Sequence, residues 1–171
     1  ILGLPGETYE SWVNGLGDLL DSYVNNQIFV YPAEVYPNTE LNENSYRKKY
    51  AIKTLILDLN ENYCAPKDQK WLKEYVEIVY ETYSMNKEDW KKMNLFSILL
   101  MVVHSFKLAF NIKNYLNKDI KNSRKDYKKN ICQNINEKES PFIYTNIIKK
   151  VNDWSDDMIK GKARSIYNPK Y

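Results

Sequence analysis

Histidine occurs once in the 171 residues, at position 104, and cysteine twice, at 64 and 132. A metal or cluster site built from these residues needs several of them at short, regular spacing, and Cys64 and Cys132 match no such spacing. So sparse a pair also argues against a disulfide framework and fits a reducing, cytoplasmic compartment. His104 stands inside an apolar stretch with no acidic cluster nearby, so it reads as a hydrogen-bonded core residue, and no Ser-His-Asp arrangement is visible. Glycine is scarce, at five residues. Charge of one sign is missing too: the net charge is only +3, and Lys residues alternate with Asp and Glu as on wet helix faces. That balance gives no case for nucleic acid, and the denser basic stretch from Lys118 to Lys129 reads as one such face. Nor is there a long hydrophobic run. The most apolar stretch, Leu95 to Phe110, is broken by Ser97, His104, Ser105 and Lys107. About 20 clean apolar residues are needed to span a bilayer, so this is a buried helix.

What remains suits a folded core. Apolar residues make up 43% and charged residues 27% of the chain, and Tyr, Asn and Lys are abundant. The chain opens on Ile1 rather than Met, inside an apolar stub with no charged region before it. From that we expect the natural N-terminus to lie upstream.

The first unit reads as strand, turn, helix, strand. Ile1-Leu2 ends a buried strand. Gly3-Leu4-Pro5-Gly6 then forces a sharp turn, since glycine tolerates positive φ and proline fixes its own. Thr8 caps a helix carrying Trp12, Val13, Leu16, Leu19, Leu20 and Tyr23 at helical spacing, with Glu7 and Glu10 near its positive end. Asn25-Asn26 ends it, and Gln27 to Tyr31 reads as a strand parallel to the first, stopped by Pro32 and Pro37. Ala33 to Lys49 reads as a long polar loop. Tyr50 to Leu59 alternates like a strand.

From Ala65 onward the pattern predicts helices. One covers Asp68 to Tyr83, with Leu72, Tyr75, Val76, Val79 and Tyr80 on one side. The next, capped by Ser84 or Asn86, runs from Trp90 to Phe106 and is apolar nearly all round, so it should sit centrally. A polar helix follows over Asn111 to Ile135. Ser140-Pro141 starts the last, which carries Ile147, Ile148, Val151, Trp154, Met158 and Ile159 and frays near Gly161. The organisation expected is residues 1–62 as an α/β unit and 63–171 as an α-helical region, with the boundary near Asn60 to Lys67.

Leu2-Gly3-Leu4-Pro5-Gly6-Glu7-Thr8, followed by a helix beginning Tyr9-Glu10-Ser11-Trp12, resembles the late-barrel region of radical S-adenosylmethionine (SAM) enzymes. There such a turn follows the fifth strand of a partial (β/α)6 barrel. The next strand in that family ends in a proline segment, here Val35-Tyr36-Pro37-Asn38-Thr39-Glu40-Leu41. Tyr46 to Thr54 and Ser84 to Asn94 are similar to stretches of the subgroup with an N-terminal cobalamin-binding domain. The resemblance covers residues 1 to about 60 best, thins over 65 to 115 and then stops.

The resemblance implies an α/β fold: the C-terminal strands and helix of a radical SAM barrel, followed by an α-helical tail that packs against it. It implies SAM as cofactor and a [4Fe-4S] cluster held by a Cys-x-x-x-Cys-x-x-Cys loop, which this chain lacks. It implies reductive cleavage of SAM to a 5′-deoxyadenosyl radical and, for the subgroup, cobalamin-dependent methyl transfer or a related rearrangement. The partner implied is the N-terminal barrel half, with the cluster and a cobalamin domain. Residue by residue, Ile1, Gly3 and Leu4 would line the SAM pocket, and Gly6 and Glu7 would shape the turn. Val35, Tyr36 and Pro37 would follow the sixth strand, at the barrel end where sites are built. Tyr31 and Glu34 would face substrate. The plainer reading of each is a barrel-filling or rim residue. Two other readings of the whole chain stay open: a free-standing helical interaction module, and a remnant without function.

Overall fold

The structure is a computed structural model that describes residues 1–22, 26–58, 75–105 and 142–161. It is mixed α/β. Among the described residues the α-helices are α1 (Tyr9–Asp21), α2 (Asn44–Lys49), α3 (Lys87–Leu100) and α4 (Phe142–Ile159). The named strands are β1 (Lys53–Asp58) and β2 (Tyr75–Glu81).

Helix α1 forms where the sequence places a cap. Thr8 accepts from the Ser11 amide at 3.1 Å, and Ser11 Oγ accepts from the Thr8 amide at 2.9 Å, closing a reciprocal capping box. Trp12, Val13, Leu16 and Leu20 form its buried face, whereas Leu19, expected on that face, is 38% exposed. The face packs on α3. The Trp12 indole N–H donates to Ser97 Oγ at 3.0 Å, and that hydroxyl donates on to the Met93 carbonyl at 2.7 Å. Both polar groups are thus satisfied inside the core.

The side chain of Asn86, not Ser84, caps α3 by accepting from the Asp89 amide at 2.9 Å. Glu88 and Asp89 sit in its first turn, where the helix dipole favours negative charge. Trp90, Met93, Leu95, Phe96, Leu99 and Leu100 are all buried, so the helix is central, as its all-round apolar pattern predicts. It widens into a π turn over Met101–Ser105. There Ser105 Oγ accepts from the Ile28 amide at 2.9 Å and donates to the Ile28 carbonyl at 2.8 Å. His104 is buried, and its Nε2 lies 2.9 Å from the Asn26 carbonyl, so that nitrogen carries the proton. Together these two residues tie residues 26–28 to the end of the central helix.

Helix α4 presents Val151, Ser155 and Met158 to α3. Asn94 Nδ2 donates to Ser155 Oγ at 3.0 Å inside this seam, and Lys91 pairs with Asp156 at 2.6 Å on its rim. Gly161, at φ 74°, ends the helix with its amide on the Met158 carbonyl, so the fraying point matches expectation. Among the described residues no helix is long and apolar enough to cross a membrane.

The strands form a small mixed arrangement. Leu2 pairs with Pro32 in parallel: its amide donates to the Tyr31 carbonyl at 2.8 Å, and its carbonyl accepts from the Ala33 amide at 2.7 Å. The parallel contact is thus an isolated bridge at Pro32, and residues 27–31, expected to be the strand, form none because their backbone groups meet the end of the central helix at Ser105 instead. Pro32 is tolerated because the flanking residues make both bonds. Beyond it, Glu34 pairs antiparallel with Ile78, through Val35 to Glu77 at 2.8 Å and Val79 to Ala33 at 2.9 Å. β2 in turn pairs antiparallel with β1, in register from Leu57 opposite Val76 to Thr54 opposite Val79, with a bulge before Lys53 opposite Glu81.

Two further expectations need correction. Residues 75–81, expected inside a helix, form strand β2. Val76, Ile78 and Tyr80 alternate with Glu77, Val79 and Glu81, and β1 supplies the partner that turns alternation into a ladder. The loop expected over Ala33 to Lys49 contains a 3₁₀ turn at Glu40–Asn42 and helix α2, both fixed by Arg47. Its guanidinium reaches the Leu41 carbonyl at 3.2 Å, Asn42 Oδ1 at 3.0 Å and Glu77 at 2.8 Å. Other expected features lie outside the described residues. They are Tyr23, residues 59–74 with the boundary near 60–67 and Cys64, Phe106, and the polar helix over 111–135 with Lys118–Lys129 and Cys132. Ser140-Pro141 lies outside them as well.

Candidate functional site

The glycine turn is the natural starting point. Gly3 has φ 105° and Gly6 φ 94°, a backbone region where a side chain is strained. Gly3 has an internal reason besides: a Cβ there would stand 3.0 Å from the Val79 carbonyl and 3.7 Å from the Ala33 Cβ. The turn thus lies directly on β2. At Gly6 a Cβ would meet the Tyr83 hydroxyl at 3.7 Å, an ordinary contact, and the Gly6 amide donates to Ser84 Oγ at 2.9 Å. Ser84 in turn shares a 3.2 Å contact with the Thr82 hydroxyl. The connection between β2 and α3 therefore holds the turn, across 78 residues of chain. Glu7 spends its carboxylate locally by accepting from Ser11 Oγ.

Beside this turn opens a cleft of about 650 Å³. Three neighbouring segments line it: Ile1 and Leu4 from the first, Tyr31, Pro32, Ala33, Glu34 and Tyr36 from the second, and Tyr75 and Val76 from β2. Leu41 closes one side. The walls are mostly apolar and aromatic with few polar groups, as small-molecule sites tend to be. Ile1 is 70% exposed and Tyr31, Tyr36 and Tyr75 each between 57% and 59%, so these side chains lie at the rim. Glu34 is half-buried and accepts a hydrogen bond from the Tyr36 hydroxyl.

Five of the residues singled out in the sequence meet here: Ile1, Leu4, Tyr31, Glu34 and Tyr36. The other five do not line the cleft. Gly3 and Gly6 shape the turn beneath it, and Glu7 holds the start of α1. Val35 is buried on the far side, in a second small core with Ala33, Ile52 and Val79. Pro37 is exposed and offers its carbonyl to Asn42 Nδ2 at 3.0 Å, within the turn that carries Tyr36. Sequence reasoning missed Tyr75, Val76, Leu41 and Ser84. The alternation of residues 75–81 was the signal for the first two. Ser84 had no local signal, because its partner is distant in the chain.

Among the described residues no group of three or more His, Cys, Asp or Glu could hold a metal ion. The chain carries no Cys-x-x-x-Cys-x-x-Cys sequence either, so its residues do not fit an iron–sulfur cluster.

The chain is similar to known proteins over part of its length. Across 106 residues, 61% of the chain, it is 30% identical to the cobalamin-dependent radical SAM methyltransferase TokK of Streptomyces tokunonensis. Across 91 residues, 53% of the chain, it is 33% identical to the 2-(S-pantetheinyl)-carbapenam-3-carboxylate methyltransferase of Streptantibioticus cattleyicolor. The matched stretches span only 15% and 13% of those two proteins. No protein-family profile matches the chain. These similarities support a radical SAM-related relationship.

Proposed function

We propose that this chain is the C-terminal part of a radical SAM enzyme of the cobalamin-dependent methyltransferase type. In that reading it supplies one wall of the SAM and substrate pocket. The observation that carries the proposal is the cleft. Ile1, Leu4, Tyr31, Glu34 and Tyr36 were named from motif resemblance alone, and they converge on one cavity. The parallel pairing of Leu2 with Pro32 suits two neighbouring strands of a partial (β/α)6 barrel. The length of the two relatives adds to the case, since most of each lies outside the matched region.

In such an enzyme the bound cluster supplies the electron that cleaves SAM, and cobalamin carries the methyl group. The cysteines for the cluster would come from outside this chain, which has no Cys-x-x-x-Cys-x-x-Cys sequence. Its own residues position and enclose. Gly3 and Gly6 let the turn lie flat on β2, which brings Ile1 and Leu4 to the cleft. Tyr36 donates its hydroxyl to Glu34, and Tyr31 and Tyr75 add aromatic surface at the rim. The partner in this reading is the barrel half with the cluster cysteines, together with a cobalamin domain, and the assembled protein works in the cytoplasm.

The test is to sequence the DNA around the coding region and express the longest reading frame anaerobically with iron and sulfide. A brown protein that converts SAM to 5′-deoxyadenosine under reduction supports the proposal. A reading frame with no cluster-binding cysteine loop, giving no cleavage, overturns it and leaves an interaction module or a remnant.

A further inference from the structure

The glycine turn brings Leu4 to the wall of the cleft, yet burial does not hold it there, since Leu4 is 40% exposed. Leu4 and Pro5 stand between two glycines at positive φ, 105° at Gly3 and 94° at Gly6. Glycine accepts many backbone conformations, so each is a point about which the turn could swing. At the first, the turn rests on β2, against the Val79 carbonyl. At the second, the amide donates to Ser84 Oγ at 2.9 Å. Ser84 is itself well anchored. Its turn is closed by reciprocal backbone bonds between Thr82 and Met85, at 2.9 and 3.3 Å, and both of those residues are buried. The Tyr83 amide ties the same turn to the Tyr50 carbonyl at 2.9 Å. The Ser84 hydroxyl shares a 3.2 Å contact with Thr82 Oγ1, and Asn86, two residues on, caps the central helix.

We infer that Ser84 is a positioning residue for the cleft: its hydroxyl holds the Gly6 amide and so fixes Leu4 in the wall that meets ligand. The wall is thereby set from the start of the central helix, by a side chain that does not line the cleft. A hydroxyl suits the task, because one oxygen can accept from Gly6 while it bonds with Thr82. The bond lies at the surface, so water can take its place on the Gly6 amide when the hydroxyl is removed, and the fold loses little. What is lost is the fixed turn, and a wall that must be ordered on binding weakens affinity. The inference rests on the proposal above in one respect, that the cleft takes ligand. It needs no cluster, no SAM and no turnover.

The experiment uses the 171-residue chain and 2-phenylethanol, a neutral aromatic probe, so that the charge of the cleft plays no part. Backbone amide shifts in the NMR spectrum give the site and the affinity, and amide exchange reports on Gly6. In Ser84→Ala we expect Gly6 to exchange about tenfold faster and the probe to bind about fivefold more weakly, at a nearly unchanged melting temperature. Ser84→Thr keeps the hydroxyl and should restore both. A merely structural role would lower the melting temperature and would not move affinity in step with Gly6 exchange. No uptake of the probe by the wild-type cleft, unchanged affinity in Ser84→Ala, a loss that appears only with a lower melting temperature, or a loss that Ser84→Thr does not restore would each overturn the inference. SAM cleavage by the longer reading frame is a separate readout, so the failure of one idea is not mistaken for the failure of the other.

Discussion

The two faces of the small sheet are built on different principles. One face, carrying Leu55, Leu57, Val76 and Ile78, lies against α1, α3 and α4 and shares a core with Trp90, Phe96 and Leu100. The other carries Val79 and Thr54 and meets only a small core of Ala33, Val35 and Ile52, with Tyr46 and Tyr50 beside it. There Arg47 does what packing does on the first face: it bridges Glu77, Leu41 and Asn42, and Glu77 also accepts from Thr54. Burial of large apolar area is non-directional and strong in sum, whereas a guanidinium fixes geometry through its fork. The helical face therefore supplies stability, and the polar face sets where the 36–50 segment and the rim of the cleft lie.

Substitutions at the helical core test this contrast most severely. Trp90 is fully buried, and among the described residues its indole N–H has no hydrogen-bond partner. Trp90→Ala should cost about 3–5 kcal/mol in urea unfolding. Trp90→Phe should cost less than half of that, because it also removes an unpaired buried donor, worth about 1–3 kcal/mol. If Phe proves as costly as Ala, the shape of the indole and not its volume holds the core.

Gly3→Ala comes next, at about 1–3 kcal/mol, because φ 105° strains the new residue and its Cβ would press on the Val79 carbonyl. The same variant should disturb the amide signals of Ala33 and Glu34, since Ala33 bonds to both Leu2 and Val79. A change confined to the turn would separate the turn from the cleft.

Arg47 and Glu77 are each about a quarter exposed. A double-mutant cycle with Arg47→Ala and Glu77→Ala should show a coupling of about 1 kcal/mol. The single Arg47 change should also free residues 40–49 in hydrogen exchange. No change in exchange there would mean that the small core alone holds α2.

The smallest effect is expected at the rim between α3 and α4. The hydrogen bond and charge of Lys91 hold the Asp156 carboxyl below its ordinary value of 3.8, and Asp156 raises Lys91 above 10.5. A lowered carboxyl adds stability that is present above its unfolded pKa of 3.8 and is lost as pH falls through the folded value. A raised amine adds stability below 10.5 that is lost as pH rises past the folded value. Asp156 is 43% exposed, so water and salt screen the pair. Asp156→Asn should flatten the acid slope of a pH melt slightly and leave the neutral melting temperature nearly unchanged.

How much of this was legible in the chain depends on distance along it. Thr8, Asn86 and Gly161 act within four residues of themselves, through caps and positive φ, and each marks a helix end that the sequence shows. The central place of α3 and the buried stripe of α4 follow from apolar periodicity. The motif residues Ile1, Leu4, Tyr31, Glu34 and Tyr36 were legible as candidates. That they share one cavity was not, since the pairing of Leu2 with Pro32 brings them together across some 30 residues.

Residues 75–81 show the limit of local pattern. Tyr75, Val76, Val79 and Tyr80 fit the spacing of a helix face, and Val76, Ile78 and Tyr80 fit the alternation of a strand. Nothing local separates the two, because the preference is settled by whichever partner takes up the backbone bonds. In the fold, β1 on one side and Ala33 to Val35 on the other supply those bonds. Arg47, Ser84 and Trp12 are similar: the sequence placed a donor or acceptor at each, and tertiary structure chose the partner. By itself the sequence determined the helix ends, the turn glycines and which helix is buried, because those depend on torsion angles and on the affinity of apolar surface for its own kind. Only the tertiary structure decided the strand at 75–81, the Arg47 clamp and the cleft, because each is a bond or a cavity between segments that do not meet until the chain has folded.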